Sequence, residues 1–584
     1  MHNEEIAQVL SEIADLLEIS DEDHFRVLSY RKAAETVADH PRELVTLLAE
    51  GGPPALHEVP GVGESLAGKI AELLQTGQIT FHQELKAKYP PGLLELLQIP
   101  GLGPKKVALF YRELGIGSVD DLAQAAEQHH LRDLPGMGAK SEEKLLHGLE
   151  TYRQHLQRGL LGEMLPLAEE LAARLRELPA VRQADFAGSA RRGRETVGDL
   201  DLLAASEQAA QVCEAFAASG VLEEVTLAGD TKVSGRLPGG RQVDLRCVPP
   251  DSYGAALQYF IGSQAHNLAV RARAQRMGLT VNEYGVFEYH EGEVGTRVAG
   301  ATEQEVYAAL GLPWIPPELR EDRGELQAAE EGRLPHLIEA SDLRGDLHVH
   351  TTASDGHNTL EDMARAAEAR GYEYLGVTEH SPSLYVANGL SGERLREHRA
   401  AVDELNERLT REGSRLHLLL GTEADLLPDG SVDLAPGTEG LLDYVIASVH
   451  QGFTPDADRM THRILTALES GQVDILGHPT GRMLLAREAY GVHLEEVIAA
   501  AAKAQVALEI NASPYRLDLD DVHSRLAQEQ GALLCLNTDA HRLAGLDDMR
   551  YGVLVARRGW IEPQTVINTW PLERLRQWLA GRRK

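Results

Sequence analysis

Over the first 90 residues apolar positions recur at i, i+3, i+4 and i+7, as in NEEIAQVLSEIADLLEI (3–19), and this period predicts amphipathic helices. A helical region punctuated by Gly and Pro continues to about residue 150. From about 181 the pattern changes to short apolar strands separated by turns: VRQADFAGSA, DLDLLAA and RQVDLRCV. A Pro-rich, acidic stretch at 311–335 reads as a linker. From about 343, apolar strands alternate with helices through EYLGVTEH, RLHLLLGTEAD, YVIASVH, VDILGHP, ALEINAS and ALLCLNTDAH. That alternation predicts a parallel sheet or a β/α barrel.

Composition narrows the class. At roughly 100–200 residues per domain, 584 residues make several domains. With 43% hydrophobic and 25% charged residues the chain is globular material. No apolar run approaches a membrane span, and the acidic start MHNEEIAQVL lacks the features of a signal peptide. Three scattered cysteines, Cys213, Cys247 and Cys535, exclude a disulfide framework and a Cys-type zinc finger, and fit a cytoplasmic location. The net charge of −33 argues, in bulk, against binding nucleic acid. It is least negative, −5, over 151–320, and carboxylates that bind metals count as negative although the ion reverses their field. Histidine is abundant, with 24 residues.

The first 150 residues contain a repeat: LHEVPGVGESLAGKI (56–70), LLQIPGLGPKKVALF (96–110) and LRDLPGMGAKSEEKL (131–145). Each copy runs from an apolar residue through Pro and Gly-x-Gly into a helix. Gly61 and Gly63, Gly101 and Gly103, and Gly136 and Gly138 allow a tight turn whose N–H groups meet a phosphate without side-chain charge. This helix-hairpin-helix pattern grips a nucleic-acid backbone without reading sequence. The alternative is a packing joint with a proline at the turn.

The densest motif is Gly188-Ser189-Ala190-Arg191-Arg192-Gly193-Arg194-Glu195-Thr196-Val197-Gly198-Asp199-Leu200-Asp201. In a strand, Asp199 and Asp201 share a face, and two carboxylates there call for a cation. With Asp244 from a second strand they suit two Mg²⁺ ions clamping a nucleoside triphosphate and a 3′-hydroxyl. Gly188, Ser189 and Arg192 would hold the outer phosphates. The plainer alternative is an acidic surface turn.

GSARRGRETVGDLDLL, VDLRCV, YFIGSQAHN (259–267) and VNEYGVF (281–287) resemble the family X, or DNA polymerase beta-like, DNA polymerases over residues 1–320. The resemblance implies an α+β nucleotidyltransferase palm with a thumb. It implies Asp199 and Asp201 on both metals (Mg²⁺ or Mn²⁺), Asp244 on the catalytic one, and Ser189 and Arg192 on the triphosphate. Tyr259, Phe260 and Gly262 match the segment facing the sugar. Asn267 and Arg271 match positions near the nascent base pair and the template. Ile261 and Gln264 depart from the usual pattern. Lys69 matches the family's Schiff-base lysine for 5′-deoxyribose phosphate removal, and Tyr30 and Arg31 also match. Phe25 and Ser65 stand where basic or imidazole groups are common, and a solvated helix lysine remains the alternative for Lys69.

In the last third, His348 and His350 alternate on one strand and Asp355 follows in the next turn. His380, Glu423, His450, His478, Asp539 and His541 end successive apolar strands. In a β/α barrel those ends form one rim, and nine N/O ligands without cysteine fit two or three Zn²⁺, Mn²⁺ or Fe²⁺ ions. Glu379 adjoins His380 and is expected to face the other way. DLHVHTTASDG, TEH, GTE, SVH, GHP and TDAH resemble the PHP domain, which implies a distorted (β/α)7 barrel with a trinuclear site and phosphoester hydrolysis. Together the two resemblances match bacterial and archaeal family X polymerases with a C-terminal PHP domain. They imply an N-terminal helical domain (1–90), fingers (91–150), palm (151–250), thumb (251–320), linker (321–340) and PHP domain (341–584). The implied enzyme is a monomer, away from membranes, that fills gapped or primer–template DNA with dNTPs and trims 3′ ends. Two alternatives stay open: a DNA-binding scaffold with a small-molecule phosphatase, and a template-independent transferase.

Overall fold

Amphipathic spacing governs the first of two units into which the chain divides: residues 1–156 with 355–358, and residues 157–354 with 359–584. The structure, a computed structural model, describes residues 3–20, 22, 24–38, 44–59, 61–90, 92–97, 99, 101–156, 158–290, 292–438, 440–453 and 456–582.

In the first unit, Ile6, Leu10, Ile13 and Leu17 lie on one face of the Asn3–Ile19 helix and are fully buried. The three repeats fold alike. Val62, Leu102 and Met137 donate their N–H to the carbonyls of Val59, Ile99 and Leu134, each at 3.0 Å. Gly61, Gly101 and Gly136, third in these turns, have φ of +82°, +82° and +75°, a conformation that turns of this kind assign to glycine. Gly63, Gly103 and Gly138 then open helices by accepting from Ala67 (2.9 Å), Val107 (3.1 Å) and Glu142 (3.0 Å). The glycines are exposed, whereas Val62, Leu102 and Met137 between them are buried and pin the turn.

The second unit begins with a five-stranded sheet: β1 (Gln183–Phe186), β2 (Asp199–Ala205), β3 (Glu224–Ala228), β4 (Lys232–Arg236) and β5 (Gln242–Val248), in the order β1-β2-β5-β4-β3. Only β2 and β5 run parallel. Helices Tyr253–Ile261 and Gln264–Arg276 follow, then an antiparallel sheet of β6 (Leu279–Asn282), β7 (Gly285–His290) and β8 (Glu293–Ala299).

Seven parallel strands come next, in sequential order: β9 (Gly345–Val349), β10 (Tyr374–His380), β11 (His417–Asp425), β12 (Tyr444–Ser448), β13 (Ile475–Leu476), β14 (Ala507–Asn511) and β15 (Leu534–Asn537). A parallel bridge between Val349 and Ala540, and a 3.1 Å bond from Leu347 N to Asn537 Oδ1, bring the first and last strands together and nearly close a barrel. These strands are buried along almost their whole length, which accounts for their continuous apolar runs. Leu171, Leu202 and Leu245 around the five-stranded sheet belong to the same apolar core as Leu508, Ile510, Leu536 and Val555 of the barrel region.

The expected linker at 321–340 is not a spacer. Glu325 is fully buried, its Oε1 2.6 Å from His266 Nδ1, and Ala328, Ala329, Leu337 and Ile338 are core residues. Arg320, just before it, is also fully buried, with Nε and Nη2 on the Ile315 carbonyl at 2.9 and 2.8 Å. Proline and acidic content marked 311–335 as a linker, but the charged groups are paired, which lets them be buried. No described helix is long and apolar enough to cross a membrane.

The hairpin geometry separates two neighbouring glycines. Gly101→Ala is expected to cost about 1–2 kcal/mol by forcing an L-residue to positive φ. Gly103, the helix N-cap at φ −94° with nothing within 4 Å of an added Cβ, should lose less, about 0.5–1 kcal/mol, because alanine caps a helix less well than glycine. Urea unfolding of the two variants measures the difference; equal losses would contradict the shared turn.

Candidate metal and nucleotide sites

The parallel register of β2 and β5 sets Asp201 directly beside Asp244, and strand alternation adds Asp199 to the same face. Each offers an oxygen within 4.8 Å of the others. Burial, reinforced by Asp199 and Asp244, pushes the Asp201 carboxyl up to about 7. Asp244 is pinned from β4 and its own strand: Lys232 Nζ lies at 3.3 Å, Gln242 Nε2 donates at 3.1 Å and the Ser234 hydroxyl donates as well. Gly188, at φ +61°, faces the Asp201 carboxylate where a Cβ would collide with it.

Asp199 and Asp201 border a cavity of about 780 Å³. Gly188, Ser189 and Arg192 line it beside Asp199 and Asp201; Tyr259, Phe260, Gly262, Asn267 and Arg271 line it from the following helices. All eight residues expected on the nucleotide side therefore share one cavity, while Asp244 sits beside Asp201 and is not among its lining residues. Tyr259 and Phe260 meet edge to face at 5.1 Å, and the Arg271 guanidinium lies 5.2 Å over the Tyr259 ring. Asn267 Nδ2 donates to the Tyr259 carbonyl at 2.7 Å, fixing that segment. Arg158, Arg194 and Glu321 also line the cavity and were not anticipated. Glu321 is 129 residues from the Arg192 it pairs with at 3.0 Å, so no local motif marked it.

The barrel strands bring the second set of candidate ligands together at their carboxyl ends. His348, His350 and Asp539 converge within 4.8 Å, as do His380, Glu423 and His450, and as do the histidines 350, 380 and 541. Glu423 is central: His478 Nε2 lies 2.9 Å from it, His380 Nδ1 3.0 Å, His450 Nε2 3.2 Å and His348 Nε2 3.4 Å. Burial opposes its charge, yet His450, His348 and His380 hold its carboxyl well below the usual range. Buried His478 Nδ1 has no hydrogen-bond partner among the described residues. The rings of His348, His350, His380, His450 and His478 crowd around the Glu423 and Asp539 carboxylates. Divalent cations fit this donor set of nitrogen and oxygen without sulfur. Asp355 lies in the 355–358 segment that groups with the first unit.

Glu509 was missed. Its Oε1 holds His348 Nδ1 at 2.8 Å and accepts from Asn537 Nδ2 at 2.8 Å, and its Oε2 accepts from the His478 N–H at 2.7 Å. Such a carboxylate orients a ligating ring. The available signal was an acidic residue inside the apolar run ALEINAS. Glu379 faces away from the ligands, as alternation requires: it accepts from the Thr351 hydroxyl at 2.5 Å and the Ser354 N–H at 3.1 Å.

In the first unit, Lys69 Nζ donates to Ser65 Oγ at 2.9 Å and lies 5.7 Å from the Phe81 ring centre, a ring that Arg26 also covers at 4.8 Å. Burial and then Arg26 push the Lys69 amine down. Arg31 is committed to Asp15 (2.9 Å) and Glu18 (2.6 Å).

Family models match in four places: a helix-hairpin-helix domain at 1–79, a SAM-like helix-hairpin-helix tandem at 93–151, the DNA polymerase beta thumb at 256–321 and the PHP domain at 346–513. A Bacillus subtilis (strain 168) protein named DNA polymerase/3′-5′ exonuclease PolX is 38% identical over 575 residues, 98% of each chain. The chain belongs to the family X DNA polymerases that carry a PHP domain. Probable phosphatases of Aeromonas hydrophila and Shewanella sp. (strain MR-4) are 29% and 31% identical over 222 and 215 residues. Each match covers 35% of this chain and 81% and 79% of the respective relative. In this family X chain the two ligand sets sit within one unit, the aspartates beside the nucleotide-sized cavity and the imidazoles on the barrel rim.

Asp201 gives a pH test. Its carboxyl titrates near 3.8 when unfolded and near 7 in the metal-free fold, so its contribution to stability is fully present below the lower value and is lost as pH rises through that window. With metal chelated, Asp201→Asn is expected to raise the melting temperature at about pH 8 and leave it unchanged at about pH 3.5. A lower melting temperature at pH 8 would contradict the burial of an uncompensated charge.

Proposed function

We propose that this chain is a DNA-directed DNA polymerase that fills short gaps during repair and carries a metal-dependent 3′-5′ exonuclease. The observation that carries the reading is the pairing, within one unit, of an aspartate triad beside a nucleotide-sized cavity with an imidazole-rich rim on a barrel. Mg²⁺ or Mn²⁺ on Asp199, Asp201 and Asp244, and two or three Zn²⁺, Mn²⁺ or Fe²⁺ ions on the barrel, supply Lewis-acid stabilisation of phosphoryl oxygens when bound.

The residues of the chain do the rest. Ser189 and Arg192 hold the outer phosphates of a dNTP. Tyr259, Phe260 and Gly262 form the wall facing the sugar, and Asn267 keeps that wall in place while Arg271 reaches toward the template. The exposed amides at Gly61, Gly63, Gly101, Gly103, Gly136 and Gly138 grip the DNA backbone. On the barrel, His348, His350, His380, Glu423, His450, His478, Asp539 and His541 would hold the ions, and Glu509 fixes the ring of His348. The lowered amine of Lys69 supports a Schiff-base role in removing a 5′-deoxyribose phosphate, for which the neighbouring cation is Arg26.

The second reading, a DNA-binding scaffold with a small-molecule phosphatase, draws on the names of the Aeromonas and Shewanella relatives. A labelled primer on gapped DNA, with dNTPs in Mg²⁺ and in Mn²⁺, separates the two. Asp199→Ala/Asp201→Ala should only shorten the primer and His348→Ala/His350→Ala should only extend it, each lost activity falling by at least about a hundredfold. A chain that neither extends nor shortens DNA yet hydrolyses small phosphomonoesters would overturn the polymerase reading.

A further inference from the structure

The loop between β1 and β2 carries Gly188, Ser189 and Arg192 and ends on Asp199. Its position therefore sets the phosphate side of the cavity. Two arginines from the barrel region clasp it at separate points.

The first clasp starts at Arg558, in the last turn of helix Met549–Arg558, whose side chain is only 2% exposed. Its Nη1 donates to the Arg192 carbonyl and to Glu321 Oε1, both at 2.9 Å, and its Nη2 donates to Asp521 Oδ2 at 2.7 Å. The same Glu321 oxygen accepts from Arg192 Nε at 3.0 Å, while Arg192 Nη1 donates to the Ile261 carbonyl. One barrel arginine thus holds Arg192 twice, by its backbone and by the carboxylate that orients its side chain. Gly193, next in the loop, has φ +66°, and a Cβ there would stand 3.2 Å from Leu554 of the same helix. Glycine at this place lets the loop lie flat against the barrel helix.

The second clasp is Arg482, which follows the His478 segment. Its Nη2 lies 2.6 Å and its Nη1 3.3 Å from the two Glu195 oxygens, a fork-to-carboxylate pair. Arg482 Nε is tied to the Arg516 carbonyl at 2.9 Å.

Charge and rotamer freedom give this arrangement a consequence. An arginine paired to one carboxylate alone is neutralised and presents little field to an anionic ligand. Here Glu321 is shared by two guanidiniums. With Arg323, half-buried, 2.9 Å from Asp521, these groups set three guanidiniums against two carboxylates beside the cavity. Pinning Arg192 before a ligand arrives also removes the rotamer entropy that a free arginine loses on binding.

We propose that Arg558, acting through Glu321 on Arg192, is a positioning residue for dNTP binding, so that the barrel forms part of the polymerase's triphosphate site. This rests on the reading that Arg192 binds the triphosphate. Arg482 and Glu195 hold the far end of the same loop.

The test uses the full chain on gapped DNA, with a primer whose 3′-terminal linkage is a phosphorothioate so that trimming does not mix with extension. Arg558→Ala, Arg558→Lys and Glu321→Gln should each raise KM for dNTP about five- to twentyfold with kcat changed less than about twofold, the pattern of lost ligand binding. Exonuclease rate on an ordinary primer without dNTP should stay within about twofold of wild type in the same variants, which reads the integrity of the barrel. In an Arg192→Ala background, Arg558→Ala should add nothing further to KM. If Arg192→Ala raises KM while Arg558→Ala and Glu321→Gln do not, or if the Arg192 and Arg558 effects multiply, the clasp is refuted and the triphosphate role of Arg192 stands. If Arg192→Ala leaves KM unchanged, that role fails and the clasp with it. Loss of exonuclease in step with the KM change in all three variants would mean that Arg558 only holds the barrel together, and would also refute the proposal.

Discussion

A single apolar core runs from the five-stranded sheet into the barrel, and the rest of the second unit depends on it. Leu171, Leu202 and Leu245 share that core with Leu508, Ile510 and Leu536. Each candidate ligand set gathers like charges or crowded imidazoles at close range, a cost to folding that bound cations would relieve. The shared core offsets that cost on both sides at once. It also fixes the aspartate triad and the histidine rim in one frame, so that the loop carrying Arg192 can be held by Arg558 and Arg482.

A small part of the chain's acidity sits at the two candidate sites: Asp199, Asp201 and Asp244 on the sheet, Glu423, Glu509 and Asp539 in the barrel. A protein with net charge −33 can still hold a nucleic-acid backbone if peptide N–H groups do the holding. The three hairpins place exposed glycines around a buried apolar residue at the start of a helix, an arrangement that supplies such donors without a basic surface.

What could be read from the sequence was whatever is periodic or adjacent. Helical spacing gave the first unit, and the Pro-Gly-x-Gly repeat its turns. Alternation put Asp199 and Asp201 on one face, and most of the candidate barrel ligands stand at the end of an apolar strand. What could not be read was set by contacts distant in the chain. Glu509 reaches His348 across 161 residues, and Arg558 reaches Arg192 across 366. Lys232 and Ser234 meet Asp244 only because β4 pairs with β5. The packing of the 321–340 stretch was not legible because composition reports solvent preference for single residues. It does not report that Glu325 has His266 waiting, or that Arg320 just before it has the Ile315 carbonyl.

The most direct test of the shared core is amide hydrogen exchange on the full chain carrying Leu536→Ala in β15, a truncation that removes about 2–5 kcal/mol from a fully buried site. If the sheet and the barrel open as one unit, protection in β2 and β5 falls together with that in β14 and β15. Unchanged protection in β2 and β5 while the barrel strands exchange faster would show two separate cores and contradict the account.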